Sequence, residues 1–253
     1  MIDTHCHVDL YDAPLDVANE AEAGQINTIA VTYLPTHFRL AQSHLRTFHH
    51  VKPALGLHPL AAADHEKELG LFRDIAREVE FVGEIGLDFS SHGLVTRAIQ
   101  EDSFVKVLDA LRGRQCFITL HSRQAEDSVL GHLKNAGSQP VAFHWFTGSR
   151  AQLRRVLDAG HSVSLNPAMI RTAKWREFIH VVPRDSILTE TDGPFTSCEN
   201  RKARPTDILS VIRWIAERWK CSAECVEQKV SENFARMRPL RAENGNPEGA
   251  GWR

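Results

Sequence analysis

Residues 82–88 read VGEIGLD, a short apolar, β-branched run that ends in ionisable residues, Glu84 and Asp88. Working outward, runs of the same kind lie near 51–58 (VKPALGLH), 28–34 (TIAVTYL) and 2–5 (IDTH) on one side. On the other side they lie near 116–122 (CFITLHS), 141–147 (VAFHWFT), 161–167 (HSVSLNP) and 187–192 (ILTETD). Helical patterns fall between them, at 64–79, 97–112, 124–136, 149–159 and 205–219, and 222–236 reads as a closing helix. Eight strands alternating with helices over about 250 residues predict an α/β fold, a (β/α)8 TIM barrel in a single domain. A doubly wound open sheet is the alternative, but no G-x-G-x-x-G turn follows the first strand. With no internal repeat and no linker, the barrel is expected over residues 1–240. Residues 241–253, Gly/Pro-rich from 243 onward, are expected to form a mobile tail.

The composition agrees with a globular enzyme. Of 253 residues, 25% are charged and 42% hydrophobic, which excludes wholesale disorder. Thirty Lys and Arg against 32 Asp and Glu give a net charge of -2, which excludes binding nucleic acid by bulk attraction but leaves room for a local basic patch. No apolar run approaches the roughly 18 residues of a membrane span, and MIDTHCHVDL at the N-terminus has no basic or apolar leader region. Five cysteines, odd in number and without a C-x-x-C pair, point to a reduced, cytoplasmic setting.

In such a barrel the chemistry sits where the strands end. Strand 1 ends in His5-Cys6-His7, strand 3 in His58, strand 4 in Glu84 and Asp88, strand 5 in His121 and Arg123, strand 6 in His144, and strand 8 in Glu190 and Asp192. Side chains alternate along a strand, so His5 and His7 both face the barrel while Cys6 faces the helices. Alone, an H-x-H pair is weak, and a lone acidic residue at a strand end is as often a helix cap. Six donors at one depth on five different strands are a metal pattern. His5, His7, Glu84, His121, His144 and Asp192 form a mixed N/O set suited to Zn, Mn, Fe or Ni better than to Mg or Ca. Six exceed what one four-coordinate ion needs, so two divalent ions bridged by a carboxylate are expected. By contrast His37, His44, His49, His50, His65, His92 and His180 read as surface residues, Cys221 and Cys225 as helix packing, and Trp145 as packing outward against helices.

Seven segments together resemble the TatD family of metal-dependent hydrolases, within the amidohydrolase-like barrels. They are DTHCH at 3–7, LGLHP at 55–59, GEIGLDF at 83–89, LHSR at 120–123, FHWFTGS at 143–149, SLNPAM at 164–169 and TETDGPF at 189–195. The resemblance implies that His5, His7, Glu84, His121, His144 and Asp192 are the metal ligands. It also implies a deoxyribonuclease or related phosphodiesterase using divalent cations, with DNA as substrate. SLNPAMIR, LTETDGPF and the Arg-rich segment after them further resemble the TatD-like (QatD-type) component of a bacterial antiphage defence operon, which implies other proteins of that operon as partners. After GLDF the chain reads SSHGLVTRAIQ, without the Arg that many family members place there.

The residues then suggest a mechanism. One ion is expected on His5, His7 and Asp192, the other on His121 and His144, with Glu84 shared, and Asp192 and Glu84 are the catalytic carboxylates. Asp3 and Glu190, one layer deeper, are expected to accept N–H bonds from the ligand imidazoles. His58, Arg123, Arg201 and Arg204 are the candidates for substrate phosphate, with Lys202 among the same cluster. Two other functions compete: a metal-dependent amide or lactone hydrolase of the amidohydrolase type, and a metal-loaded subunit of a defence complex that does no chemistry.

Overall fold

In the computed structural model, which describes residues 1–238 of the chain, eight strands run parallel and each is followed by a helical layer. They are β1 (Ile2–Cys6), β2 (Asn27–Val31), β3 (Val51–Ala54), β4 (Phe81–Gly86), β5 (Phe117–His121), β6 (Ala142–Phe143), β7 (Ser162–Leu165) and β8 (Ile187–Thr189). Ladders join β1 to β3 and β4 to β8. The first seam is bridged between Leu55 and Val82 and by Thr32 N–H to the Gly83 carbonyl at 3.1 Å. The second is closed by Thr4 Oγ1 to the Thr189 carbonyl at 3.0 Å, Thr189 Oγ1 to the Ile2 carbonyl at 2.6 Å and Asp192 N–H to the His5 carbonyl at 2.8 Å. A barrel results, with the TIM-type alternation that the run pattern predicts.

The helices of the outer ring are α1 (Pro14–Ala23), α2 (Pro35–Leu45), α3 (His65–Ile75), α4 (Arg97–Ala110), α5 (Glu126–Ala136), α6 (Arg150–Asp158), α7 (Ala173–Phe178), α8 (Ile208–Trp219) and α9 (Ala223–Met237). Proline at the first position starts α1 and α2, where the missing N–H costs nothing. A Ser149–Gln152 capping box starts α6. The core fills the space between strands and ring with fully buried Phe72, Phe117, Phe143, Ile85, Leu87 and Leu120. Cys6 faces outward into a smaller cluster with Val17, Ala18 and Ala21 of α1, as alternation requires.

Three features depart from expectation. All strands but β1, which runs one residue past its run, stop one to four residues before the sequence runs do, so His58, His144 and Asp192 lie beyond β3, β6 and β8. A two-residue antiparallel hairpin, β9 (Ser197–Cys198) with β10 (Arg201–Lys202), occupies the Arg-rich segment after β8. His65 is buried, because it starts α3 with its Nε2 on the His58 carbonyl at 2.9 Å. The expected tail, 241–253, lies outside the described residues.

Candidate metal centre

The backbone delivers eight ionisable side chains to one depth at the C-terminal mouth. Loop β8 is tied to the end of β1 twice, by Asp192 N–H to the His5 carbonyl and His7 N–H to the Gly193 carbonyl, both 2.8 Å. Those bonds set Asp192 beside His5 and His7. Glu84 projects from β4, whose Gly86 has φ +133°, a conformation L side chains rarely adopt. A Cβ on Gly86 would stand 2.1 Å from the His121 carbonyl, so glycine is what lets β4 lie against β5 at the two donors.

Glu84 is the hub. Its Oε2 lies 3.1 Å from His7 Nε2, 3.4 Å from His5 Nε2 and 3.2 Å from His58 Nε2. Its Oε1 lies 2.5 Å from His121 Nδ1 and 2.8 Å from His144 Nε2. Asp192 Oδ1 completes the first group at 3.6 Å from His7 and 3.8 Å from His5. His5 and His7 Nε2 are 3.3 Å apart, and His121 Nδ1 and His144 Nε2 are 3.4 Å apart. Four ligands ~2.1 Å from a tetrahedral ion stand about 3.4 Å from one another, so the first group has the spacing of a coordination shell, while in the second Glu84 Oε1 sits closer, at hydrogen-bond distance from both rings. Asp192 Oδ1 is also buried with no hydrogen-bond partner. An orphaned carboxylate oxygen among imidazoles is expensive unless a cation meets it. The residues fit divalent metal. Three-residue subsets of this cluster, His5–His144–Asp192, His5–His7–Glu84 and His58–Glu84–His121, each bring one donor atom apiece within 4.8 Å of one another.

Electrostatics follow from burial and company. Burial alone would raise Glu84, but His58, His144, His121 and His5 outweigh it and hold the carboxyl well below its ordinary range. Burial pushes Asp192 well above that range, with Glu190, Glu84 and Asp3 adding to the effect against His144. Burial and the neighbouring His144 keep His5 neutral, with its Nδ1 on Thr119 Oγ1 at 2.8 Å. Thr119 thus turns Nε2 toward the cluster.

Several expected roles change here. His58 is not a rim residue: it is buried, and its Nδ1 accepts the Leu60 N–H at 3.1 Å. Nε2 therefore carries the proton and donates toward Glu84, and burial pushes the ring's pKa down to about 4, which leaves it neutral near pH 7. Asp3 accepts the backbone N–H of His5 and Thr191 and the Thr191 hydroxyl, not an imidazole. Glu190 accepts Trp145 N–H at 2.9 Å, Asn166 Nδ2 at 3.0 Å and the Ser164 hydroxyl, with the nearest ring nitrogen, His144 Nδ1, at 3.8 Å. Asp88, a strand-end acid outside the six expected ligands, meets His121 Nε2 with its Oδ2 at 2.8 Å. Its place four residues after Glu84, on the same face of the run, is the signal that finds it.

The cluster floors a pocket of about 420 Å³ whose walls include Tyr33, Leu60, Arg123, Trp145 and Phe195. Arg123 is exposed at its rim. Trp145 packs partly on the core as expected, but its φ of +35° ends the strand alternation and the residue also lines the pocket. Arg201 and Arg204 are not among the walls. Arg201 makes a two-pronged pair with Asp207 (2.7 and 2.9 Å), and Arg204 reaches Glu20 at 2.7 Å, so both charges are already matched.

Comparison with known proteins agrees with the barrel and with metal-dependent hydrolysis. The family profile described as TatD related DNase matches residues 2–238. The human protein named deoxyribonuclease TATDN3 is 24% identical over 94% of this chain and 94% of its own length. The Bacillus subtilis protein YabD, named an uncharacterized metal-dependent hydrolase, is 28% identical over 94% and 98%. The crystal structure of the Escherichia coli TatD homologue YjjV superposes with a TM-score of 0.84 at 25% identity, over 95% of this chain and 98% of that one.

Proposed function

We propose that this chain, which belongs to the family of TatD-related DNases, is a deoxyribonuclease that works at the Glu84-centred cluster. It is a metal-dependent hydrolase acting on phosphodiester bonds. The step from there to DNA is supported by the family's description and by the human relative's name. The observation that carries the reading is the pair of donor groups meeting on the two oxygens of Glu84.

In this reading His5, His7, Asp192 and Glu84 Oε2 hold one divalent ion, and His121, His144 and Glu84 Oε1 hold a second. The nitrogen-rich donor set favours Zn, Mn, Fe or Ni over Mg. Bound there, divalent ions would supply charge neutralisation for phosphoryl oxygens and a lowered pKa for a nucleophilic water. The chain's own residues do the rest. Asp192, whose buried Oδ1 has no hydrogen-bond partner, would accept the proton of the attacking water. Asp88 and Thr119 fix the ring planes of His121 and His5. His58 donates to Glu84 and keeps that carboxylate oriented. Arg123 at the rim meets a substrate phosphate.

The test is a substrate panel. Purified protein with each cation in turn should cleave end-labelled DNA and bis(p-nitrophenyl) phosphate, and leave lactones and amides intact. Turnover of lactones or amides alone would favour the amidohydrolase alternative. Metal-loaded protein with no turnover at all would favour a non-catalytic subunit. A role in phage defence beside other operon proteins, in the cytoplasm, belongs to the same proposal and rests on the SLNPAMIR and LTETDGPF segments. An operon carrying Glu84→Ala should lose protection against plaque formation.

A further inference from the structure

We propose that Phe195 is the stacking platform for the nucleobase next to the scissile phosphate. The inference rests on the phosphodiesterase reading and names what the pocket's mouth recognises.

The pocket has two kinds of wall. Its floor is the His, Glu and Asp cluster, which suits an anion and the cations that accompany it. Its mouth carries Tyr33, Leu60, Trp145 and Phe195. Phe195 is 52% exposed and Leu60 46%, although both border a polar, ionisable floor. A single exposed apolar side chain is ordinary. What sets Phe195 apart is where it stands and how firmly. Its own N–H and that of Thr196 bond to the Asp192 carbonyl at 2.9 and 3.2 Å, and Ala203 N–H bonds to the Thr196 carbonyl at 2.9 Å. Its ring meets His7 edge to face, centroids 5.0 Å apart and planes at 85°. The turn that places Asp192 in the cluster therefore also pins a phenyl ring beside it.

The other aromatics at the mouth are already engaged. Tyr33 is stacked on His58, with centroids 4.1 Å apart and planes at 9°, and Trp145 is half-buried against the core. Phe195 is the ring still exposed to an incoming group. A ligand that satisfies floor and mouth together has an anionic centre joined to a flat apolar body. A nucleotide has both, whereas a glycerol or sugar phosphodiester would leave the apolar rim in water. Because the ring is held in place beforehand, little freedom is lost when a base settles on it. Stacking on an aromatic face is tolerant of base identity, so the platform favours the presence of a base rather than a sequence.

The experiment compares single-stranded oligonucleotides that carry either a normal base or an abasic site beside the cleaved bond. The wild type should prefer the base by roughly 5- to 150-fold in kcat/KM. Phe195→Ala and Phe195→Leu should bring that ratio near one, and Phe195→Trp should keep it; the Leu variant separates a π face from apolar bulk. Circular dichroism should show all three folded. In parallel, 2-aminopurine beside a phosphorothioate linkage should be quenched on binding to wild type and Phe195→Trp, but not to Phe195→Ala. An undiminished base-to-abasic ratio or undiminished quenching in Phe195→Ala overturns the platform. If the wild type cleaves no phosphodiester with any cation, the parent reading fails, and the quenching result still decides the stacking.

Discussion

Asp192 carries two assignments, ligand and proton acceptor, and its surroundings let them be separated. Burial beside Glu190, Glu84 and Asp3 raises its carboxyl well above the ordinary range, so a cation has to displace a proton there to bind. An amide keeps an oxygen of similar size but accepts no proton near neutral pH. Asp192→Asn should retain metal with modest loss while kcat falls by about 100-fold or more and KM changes little. Loss of all metal would leave ligation as its whole role, and preserved kcat would move the base to another group. A second residue tests burial away from the centre. His161 is held down to about 4 by burial, and its Nδ1 accepts Val141 N–H at 3.3 Å. An unfolded chain protonates this ring below ~6.5, whereas the folded one refuses the proton until about 4. Stability from this group is thus full above ~6.5 and lost as pH falls toward 4. In urea unfolding, wild type should lose up to about 3 kcal/mol more than His161→Gln between neutral and acid pH. Equal losses would contradict it.

At the scale of elements, the hairpin β9–β10 shows what a sequence pattern withholds. Two-residue strands have no periodicity to read, so in sequence Arg201, Lys202 and Arg204 show only as a basic cluster after strand 8. In the fold Asp207 accepts both prongs of Arg201 and the Arg204 N–H, and Glu20 of α1 takes the Arg204 guanidinium. These arginines fasten the hairpin and the start of α8. Arg201→Ala should lower the denaturation midpoint and leave the salt dependence of KM for DNA as it is. A KM that rises with a shallower salt slope would return the pair to phosphate binding. The strand-end histidines were legible for the opposite reason. Period-two alternation fixes His5, His7 and Cys6 relative to one another whatever the exact strand end. His58 and Trp145 are less legible because the chain leaves the extended conformation there, one capping a turn through Nδ1 and the other at positive φ. Alternation says nothing beyond that point.

For the molecule as a whole, eight repeated runs carry the barrel, because every strand must bury both faces and every helix one. The sequence does not carry the closeness of the donors. Glu84 meets five imidazoles only because residues as distant as His5 and Asp192 are joined by the closure of β8 on β1. That closure makes the metal centre and the fold interdependent, so a bound cation should stabilise the native chain by mass action. The most direct test of the two-ion phosphodiesterase is a titration. Protein stripped with chelator is given back one cation in measured equivalents, and cleavage of end-labelled DNA is followed. Cleavage should be absent in the stripped protein, return with added cation and saturate near two equivalents per chain. Cleavage that persists without metal, or saturation at a single equivalent, would contradict it.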